Sequence, residues 1–358
     1  MSFGYKTVLL VIIGISVSIP SLGQYEPGFL PEFFFGRLPS ARAEGMGKSY
    51  VASTGDLGSI YFNPAGIAGI QKAEINTSYT PPGYYSTKGY FLFYGAGIKI
   101  NKHLVIAGSR FRFDYDKTQI VNAVKTPYTE RNILTISSTP FKNFQCGASV
   151  NYFVWQPGTG ELSKSLYFDG GLLKTFLIPI KTRSRQSVRF GASVSNFSYA
   201  KTKATLMGAS ETFKLPVITR FGLSYDLMFG KGFLIDSVSL FKMILQNEYQ
   251  VLLNSKYRSG IKAGGEVTIF DLLSVRAGWY SEKVFNYGFP NDNKSEIASF
   301  TYGVGLKLPI YKLTNLPVSV HIDYTSLPQV NYSKTLADPN NFKTFSIGVC
   351  LVNTSNNK

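Results

Sequence analysis

Few residues in this chain belong to the types that catalyse reactions, since 358 residues contain only two histidines and two cysteines. His321 lies two residues after Ser319 and two before Asp323, which suggests a nucleophile, a base and an orienting carboxylate. On one strand these side chains would stand parallel and about 7 Å apart. Acyl transfer needs contacts of about 3 Å between such groups. We therefore expect a polar cluster on a strand and no catalysis.

Other signatures of cofactor chemistry are incomplete. Gly47-Lys48-Ser49 matches the end of a phosphate-binding loop, but position 42 is arginine where that motif requires glycine. Cys146 is predicted to face outward from a sheet and Cys350 inward, so we expect two free thiols. The sequence has neither a Cys/His cluster typical of zinc nor an acidic run typical of a calcium loop. It predicts no metal and no other cofactor.

The composition is typical of a barrel in a lipid environment. Charged residues make up 16% of the chain and aromatic residues 15%, and there are 34 glycines. The formal net charge is +16, with the lysines and arginines scattered along the chain. A scattered surplus indicates a cationic surface among anionic membrane lipids and glycans. We expect contact with outer-membrane lipid and no nucleic-acid partner.

The N-terminus reads as a secretory signal peptide over residues 1–23. Lys6 supplies the positive charge, and Thr7–Ile19 is an apolar run too short to span a bilayer as a helix. Small residues before Gln24 predict cleavage there, and Pro20 argues against a retained anchor. The chain is therefore predicted to be exported.

From about residue 73 onward the chain alternates apolar and polar residues with a period of two, as strands do. Short and long connections largely alternate, as the turns and outer loops of outer-membrane barrels do. Carried through residues 73–358, this predicts an all-β, transmembrane antiparallel β-barrel of about 14 strands with both termini periplasmic. It also requires Asp236–Val251 to be a single strand. The clearest alternating stretches are Tyr90–Ile100, Leu104–Asp116, Phe144–Trp155, Val188–Ser198, Thr219–Leu227, Gly260–Ile269, Leu273–Tyr280, Phe300–Leu308, Val318–Tyr324 and Thr344–Val352.

The strand face predicted to line the lumen is rich in glycine and charge. Glycine there indicates close approach of another backbone, or the curvature of a small barrel. The apolar residues of the two strands joined by the turn Phe270–Leu272 must lie on one face of the sheet, and this requires Glu266 to lie opposite Arg276. We therefore predict an ion pair between them. The predicted lumen charge network comprises Arg110, Arg112, Asp114, Arg189, Arg220, Glu266, Arg276 and Asp323. The glycines predicted to face inward are Gly95, Gly97, Gly108, Gly147, Gly191, Gly222, Gly264, Gly278, Gly303, Gly305 and Gly348.

Residues 24–72 are predicted to form an N-terminal lead and a plug inside the lumen. The stretch 41–70 is rich in small residues and lacks strand periodicity. Asp56 is placed to N-cap a helical turn over Leu57–Phe62, and Pro64 ends that turn. The residues that define the predicted plug motif are Gly45, Gly47, Asp56, Asn63, Pro64 and Ala65.

These plug residues resemble those of the FadL-like outer-membrane proteins, and within them the PorV/PorQ family of Bacteroidetes type. The matching residues are Ala43-Glu44-Gly45-Met46-Gly47, Asp56, Ser59 and Asn63-Pro64-Ala65-Gly66, together with the stretches 259–281, 300–308, 321–327 and 345–349. The resemblance implies a fourteen-stranded barrel with an N-terminal hatch that contains Asn63, Pro64 and Ala65. The chain departs from the usual barrel ending, because residues 353–358 follow the last strand.

The resemblance implies two functions, and a third reading needs no ligand. A PorV-like barrel would serve type IX secretion by binding the translocon or exported cargo. A FadL-like channel would pass hydrophobic small molecules such as fatty acids. The third reading is a structural barrel. A continuous apolar tunnel lined by Phe91, Phe93 and Phe197 would favour transport, whereas a lumen sealed at Asn63 and by Arg/Asp rows would favour the partner role.

Overall fold

The structure is a computed structural model with a closed antiparallel barrel of fourteen strands, as the sequence predicts. It describes residues 39–81, 89–114, 125–157, 161–179, 184–198, 202–206, 209–213, 215, 217–230, 239–253, 259–284, 295–314, 316–327 and 342–352. The predicted signal peptide, the lead up to residue 38 and Asp116 lie outside these ranges.

Each strand pairs with its neighbours in chain order, and the last strand closes on the first. The barrel strands are β1 (Ala73–Thr80), β2 (Tyr90–Lys99), β3 (Leu104–Asp114), β4 (Tyr128–Phe141), β5 (Phe144–Gln156), β6 (Ser163–Ile178), β7 (Arg185–Phe197), β10 (Ile218–Phe229), β11 (Phe241–Leu252), β12 (Gly260–Ile269), β13 (Leu273–Val284), β14 (Ser295–Leu308), β15 (Val318–Leu327) and β16 (Phe342–Leu351). A separate two-stranded sheet, β8 (Thr202–Leu206) with β9 (Ala209–Phe213), forms between β7 and β10.

In the described ranges the helices are short: α1 (Ala41–Gly45), two 3₁₀ helices (Leu57–Tyr61 and Pro64–Gly69) and α2 (Ile310–Leu313). Among the described residues, no helix is long and apolar enough to cross a membrane.

One strand joins β10 to β12, so the prediction for Asp236–Val251 is confirmed for the part that is described. That strand, β11, starts at Phe241, while residues 231–238 lie outside the described ranges. Glu266 pairs directly with Arg276, which confirms the predicted register of β12 and β13. Both cysteines are free thiols, as expected.

Exposure alternates along the strands between an apolar outer face and a largely polar inner face. Large apolar side chains stand exposed on the outside, among them Leu134 on β4, Leu245 on β11 and Phe345 on β16. Their sequence neighbours point inward and are buried, as Thr135 and Thr344 are. The exposed apolar side chains therefore cover the outside of the barrel, and the buried polar side chains line its inside.

The prediction that Arg110, Arg112 and Asp114 face the lumen is wrong, because β3 shows its other face to the inside. Phe111 and Phe113 are buried in the lumen, whereas the side chain of Arg110 is 49% exposed. The three charged residues form an outer cluster in which Arg110 and Arg112 both reach the Glu130 carboxylate. Both faces of β3 carry apolar residues, so its periodicity does not choose the inner one. The choice follows from what β3 packs against inside the barrel.

Candidate functional site

The candidate site is the filled lumen, whose contents are residues 39–72, here called the inner segment. Ser40 caps α1, since its Oγ accepts from the Ala43 amide at 3.2 Å. Asn63 caps the second 3₁₀ helix through Ala65 N, and Pro64 occupies the first turn of that helix, where a missing N–H costs nothing. Pro64 thus begins a new turn as well as ending the previous one.

Asp56 sits at the N-cap position of the first 3₁₀ helix, but its side chain makes no cap hydrogen bond, so that part of the prediction is wrong. Its Oδ2 instead accepts from Arg42 Nη1 at 2.8 Å and from the Tyr50 hydroxyl at 2.5 Å. Arg42 carries a full positive charge, whereas a backbone amide carries only a partial one, so the carboxylate pairs more strongly with Arg42. Burial raises the pKa of Tyr50 well above its ordinary value, so this hydroxyl stays protonated and donates.

The inner segment crosses the lumen from one wall to the opposite one. Its helix α1 packs on β13, β14 and β15, and its second 3₁₀ helix packs on β4, β5 and β6. These two groups of strands lie on opposite sides of the fourteen-strand ring. Wall hydroxyls bind carbonyls of the segment on both sides: Thr325 Oγ1 donates to Ala41 O at 2.6 Å and Ser137 Oγ to Ala65 O at 3.1 Å.

Inward-facing glycines let the backbone of the segment approach the wall. A Cβ on Gly147 would lie 2.6 Å from the Pro64 carbonyl oxygen, and one on Gly264 would lie 2.5 Å from the carbonyl carbon of Met46. Gly191 and Gly278 face backbone atoms of the segment equally closely. The predicted close approach is confirmed at these four positions. Gly108 is an exception, because it faces outward like its neighbours Arg110 and Arg112 on β3.

One ionic network ties Arg42 of the segment to three strands. Arg42 makes a bidentate pair with Glu266 on β12, at 2.8 and 2.7 Å. Arg276 on β13 donates to the same Glu266 at 2.6 Å and to Asp323 on β15 at 2.6 Å. We call Arg42, Asp56, Glu266, Arg276 and Asp323 the Arg42 network. It confirms the predicted Glu266–Arg276 pair and adds the segment as a third partner.

A second network lies deeper. It contains Arg220, which was predicted to face the lumen, but Glu248 at its centre was missed from the sequence. Glu248 on β11 accepts at Oε2 from the amides of Tyr50 and Val51, both at 2.9 Å. Its Oε1 lies 3.4 Å from Lys262 Nζ and 3.7 Å from Arg220 Nε. These three wall residues, with Glu282 and Lys48, form the Glu248 network, and all five are nearly fully buried. The alternation Gln246, Glu248, Gln250 in β11 is the sequence signal that could have revealed it.

Arg189, the remaining residue of the predicted network, and another inward carboxylate, Asp169, make separate contacts. Arg189 on β7 pairs with Asp226 on β10 and also donates to Ala52 O of the segment at 3.1 Å. Asp169 on β6 pairs with Arg131 on β4 at 2.8 Å. The predicted single network is therefore several, each joining neighbouring strands or a strand and the segment.

Asn63 is the best satisfied polar side chain of the predicted plug motif. Its Nδ2 donates to Val51 O at 2.8 Å and to Leu172 O on β6 at 3.0 Å, while Oδ1 accepts from Ala65 N. The residue is fully buried. Asn63 thus fastens two parts of the segment to each other and to the wall.

Aromatic side chains line the inside of β2 and β3 near the ends of these strands that are remote from their short shared turn. Phe91 stacks on Phe113 with ring centroids 4.2 Å apart, and Tyr61 of the segment meets Phe93 and Phe111 edge-on. These rings belong to one buried apolar cluster. Phe197 does not join them, because it is exposed on the outside of β7.

The Ser319, His321 and Asp323 side chains are closer than the parallel-strand estimate suggests, but they do not form a triad. Ser319 Oγ lies 3.3 Å from His321 Nε2, so the predicted separation of about 7 Å is wrong for this pair. Asp323 is engaged by Arg276 instead of by His321. Within the described ranges, no group of three or more His, Cys, Asp or Glu side chains is arranged to hold a metal ion.

Comparison with known proteins gives structural likeness only. No protein-family model and no curated protein matches the chain. A Pseudomonas aeruginosa FadL homologue is 12% identical, with 92% of this chain and 99% of that chain covered and a TM-score of 0.41. The Pseudomonas putida toluene transporter TodX is 10% identical, with 87% and 96% covered and a TM-score of 0.46. The Ralstonia pickettii toluene transporter TbuX is 10% identical, with 88% and 97% covered and a TM-score of 0.41. At these values the likeness carries no conclusion about this chain.

Proposed function

We propose that this chain is an integral outer-membrane barrel with a closed lumen that serves as a partner subunit in type IX protein secretion. The membrane assignment is supported by the outer face, where apolar side chains such as Leu134 and Phe345 stand exposed around the barrel. Lipid-facing strands are apolar outside and polar inside, in contrast to soluble sheets. The predicted signal peptide supports export of the chain to such a membrane.

The proposal also gives the barrel an orientation. Ala73 at the start of β1 pairs with Leu351 at the end of β16 and with Ile98 next to the short β2–β3 turn. The short turns of outer-membrane barrels face the periplasm. Both ends of the barrel domain, and the side where the inner segment enters β1, are therefore assigned to the periplasm.

The observation that carries the proposal is the way the inner segment is fixed to opposite walls. The Arg42 network, the Glu248 network and the glycine contacts each hold a different part of it. Removing one partner of a buried ion pair costs about 3–5 kcal/mol, so displacing the segment breaks several costly contacts together. A lumen held shut in this way favours work at the outer surface and rim over conduction.

The secretion role itself rests on the resemblance of the motif residues, Ala43–Gly47 and Asn63–Gly66, to the PorV/PorQ pattern. In that pattern the barrel binds the translocon or the C-terminal signal domain of exported cargo. The networks described above supply a rigid, sealed support for such contacts. No catalytic step is assigned to the chain.

Purification of the full chain from its native outer membrane in mild detergent tests this proposal, with mass spectrometry of everything that co-elutes. We expect a very large translocon chain or exported proteins that share a C-terminal domain. A solitary barrel that carries fatty acids or other lipids would overturn the secretion role and leave the fold intact. An unrelated outer-membrane barrel, purified in parallel by the same steps, identifies proteins that co-elute non-specifically.

One observation favours a second candidate, a channel for hydrophobic small molecules. The cluster of Phe91, Phe93, Phe111 and Phe113 gives part of the lumen an apolar lining that a lipid or hydrocarbon could contact. Cells that make the protein would then take up radiolabelled oleate faster than cells that lack it. Phe111→Ala would change that uptake, whereas equal uptake in both strains would reject the channel.

A further inference from the structure

A polar cavity of about 400 Å³ lies beside the inner segment, at the end of the barrel where the short turns are. Its lining includes Asp271 in the β12–β13 turn, Lys307 near the end of β14 and Val352 after β16. Inner-segment residues such as Arg42 and Asp56 form the opposite boundary. The cavity is thus a vestibule between the segment and that end of the barrel.

The arginines of this cavity already have carboxylate partners. Arg42 and Arg276 share Glu266, with Asp56 and Asp323 at the ends of the chain of contacts. Arg189 pairs with Asp226. These groups satisfy one another and do not call for a ligand.

Two lysines of the same cavity have no such partner. Within the described part of the chain, Lys242 on β11 and Lys307 on β14 make neither an ion pair nor a side-chain hydrogen bond. Both are half-buried and line the cavity. Lys242 shares its strand face with the buried Ile244 and Gln246, and Lys307 shares its face with Gly305. Glu266 attracts Lys242 only at longer range, because its oxygens pair directly with Arg42 and Arg276. Withdrawing an ammonium group from water without a directly bound counter-charge is costly, and an anion between the lysines would offset that cost.

The wall between the two lysines offers hydroxyl groups that line the cavity. Lys242 pairs with Thr268, Thr268 with Ser274, and Ser274 with Gly305, two residues before Lys307. Thr268 and Ser274 share a hydrogen bond of 2.8 Å, so one hydroxyl hydrogen of the pair remains available to a ligand. The space over Gly305 is occupied by the paired side chains of Arg276 and Asp323, so the free hydroxyl hydrogen lies beside that pair. The two lysines are separated by three strand spacings and by two residues along a strand, so their Cα atoms lie roughly 16 Å apart along the sheet. Two lysine side chains and one small anion can bridge that span.

We infer that Lys242 and Lys307, with the hydroxyls of Thr268 and Ser274, bind a small anion that carries a phosphate or carboxylate group. Two ammonium groups supply the charge, and hydroxyls supply further donors, which is the chemistry that both kinds of oxyanion require. The site does not depend on the proposed secretion role, because its contacts lie within the barrel.

Equilibrium dialysis of the full-length barrel in detergent against radiolabelled inorganic phosphate tests the inference. We expect saturable binding to the native protein. Lys242→Gln and Lys307→Gln should each weaken it about tenfold to a hundredfold, the usual contribution of one charged hydrogen bond. Lys164→Gln, which removes an exposed lysine on the outside of β6, is the matched control and should bind as the native protein does.

Acetate competition identifies the source of the ligand chemistry: displacement of phosphate indicates a carboxylate ligand, and resistance to displacement indicates phosphate. Lys242→Arg keeps the charge and should retain binding, which separates a lost site from a misfolded barrel. The inference is overturned if the native protein binds phosphate no more than the Lys164→Gln, Lys242→Gln, Lys307→Gln triple variant does. Loss of binding in Lys164→Gln alone would also overturn it, because the site would then lie elsewhere.

Discussion

Replacing Gly264 with alanine tests how tightly the inner segment is seated. The new Cβ would lie 2.5 Å from the carbonyl carbon of Met46, whereas ordinary contacts begin at 3.4 Å. The Met46 backbone must therefore move by at least 0.9 Å, the difference between these two distances, because the Met46 carbonyl oxygen lies closer still. Flexible side chains cannot absorb the change, because the opposing atoms belong to the main chain.

The displacement also acts on hydrogen bonds next to Met46. Gly47 N donates to Thr301 Oγ1 at 2.9 Å, and Thr301 Oγ1 donates to Gly45 O at 3.2 Å. Overpacking costs about 1–3 kcal/mol, and each lost hydrogen bond adds about 1 kcal/mol. We expect Gly264→Ala to lower the free energy of unfolding by about 3–5 kcal/mol.

Urea unfolding of the barrel in lipid vesicles, followed by tryptophan fluorescence and by migration of the unheated protein on a gel, measures this loss. Gly108→Ala is the matched control, because a Cβ there would meet only one atom within 4 Å, at 3.9 Å. Alanine removes the entropic cost of a glycine within a strand, so this variant should be as stable as the native protein or about 0.5–1 kcal/mol more stable. Equal unfolding free energies for the two variants would refute the seating of the segment on the glycines.

Three further substitutions test other contacts with the same unfolding assay. Glu248→Gln removes the charge that faces Lys262 and should cost about 3–5 kcal/mol, so a change below about 0.5 kcal/mol would contradict the buried network. Asn63→Ala leaves the Val51 carbonyl without its side-chain donor and should lower the free energy of unfolding by about 2 kcal/mol or more. Asn63→Asp provides a comparison of similar side-chain size. If Asn63→Ala were as stable as the native protein, the fastening role of Asn63 would be refuted. Arg112→Ala should lower the free energy of unfolding by less than about 1 kcal/mol, because its ion pair lies on the outer face. A loss as large as that of Glu248→Gln would indicate that Arg112 faces the lumen.

The barrel and part of its lumen follow from the sequence because two constraints act together. Alternation fixes which residues share a face, and the short turn at Phe270–Leu272 fixes how β12 and β13 meet. Those constraints sufficed to pair Glu266 with Arg276. The alternation of short and long connections also required one strand between β10 and β12, which the structure has as β11.

The orientation of β3 could not be obtained in that way. Phe111 and Phe113 read as lipid-facing because a polar lumen was assumed. In the structure Tyr61 of the inner segment meets the inner face of β2 and β3, so aromatic side chains are stable inside. The location of Arg110 and its neighbours therefore depended on a contact distant in sequence.

Glu248 was missed for a related reason. Its main partners are the amides of Tyr50 and Val51, almost two hundred residues earlier. The polar alternation in β11 indicates that Glu248 faces the lumen, but it does not identify these partners. Asp56 shows the complementary error, since its local position predicts an N-cap while Arg42 offers a stronger, charged partner.

The most direct test of the closed lumen is the current through single barrels in a planar lipid bilayer. We expect the native protein to insert without producing discrete current steps. A variant that lacks residues 39–72 should produce such steps, and the steps would also show that this variant has inserted. Steady open-channel steps from the native protein, equal to those of the deletion variant, would contradict a lumen closed by the inner segment.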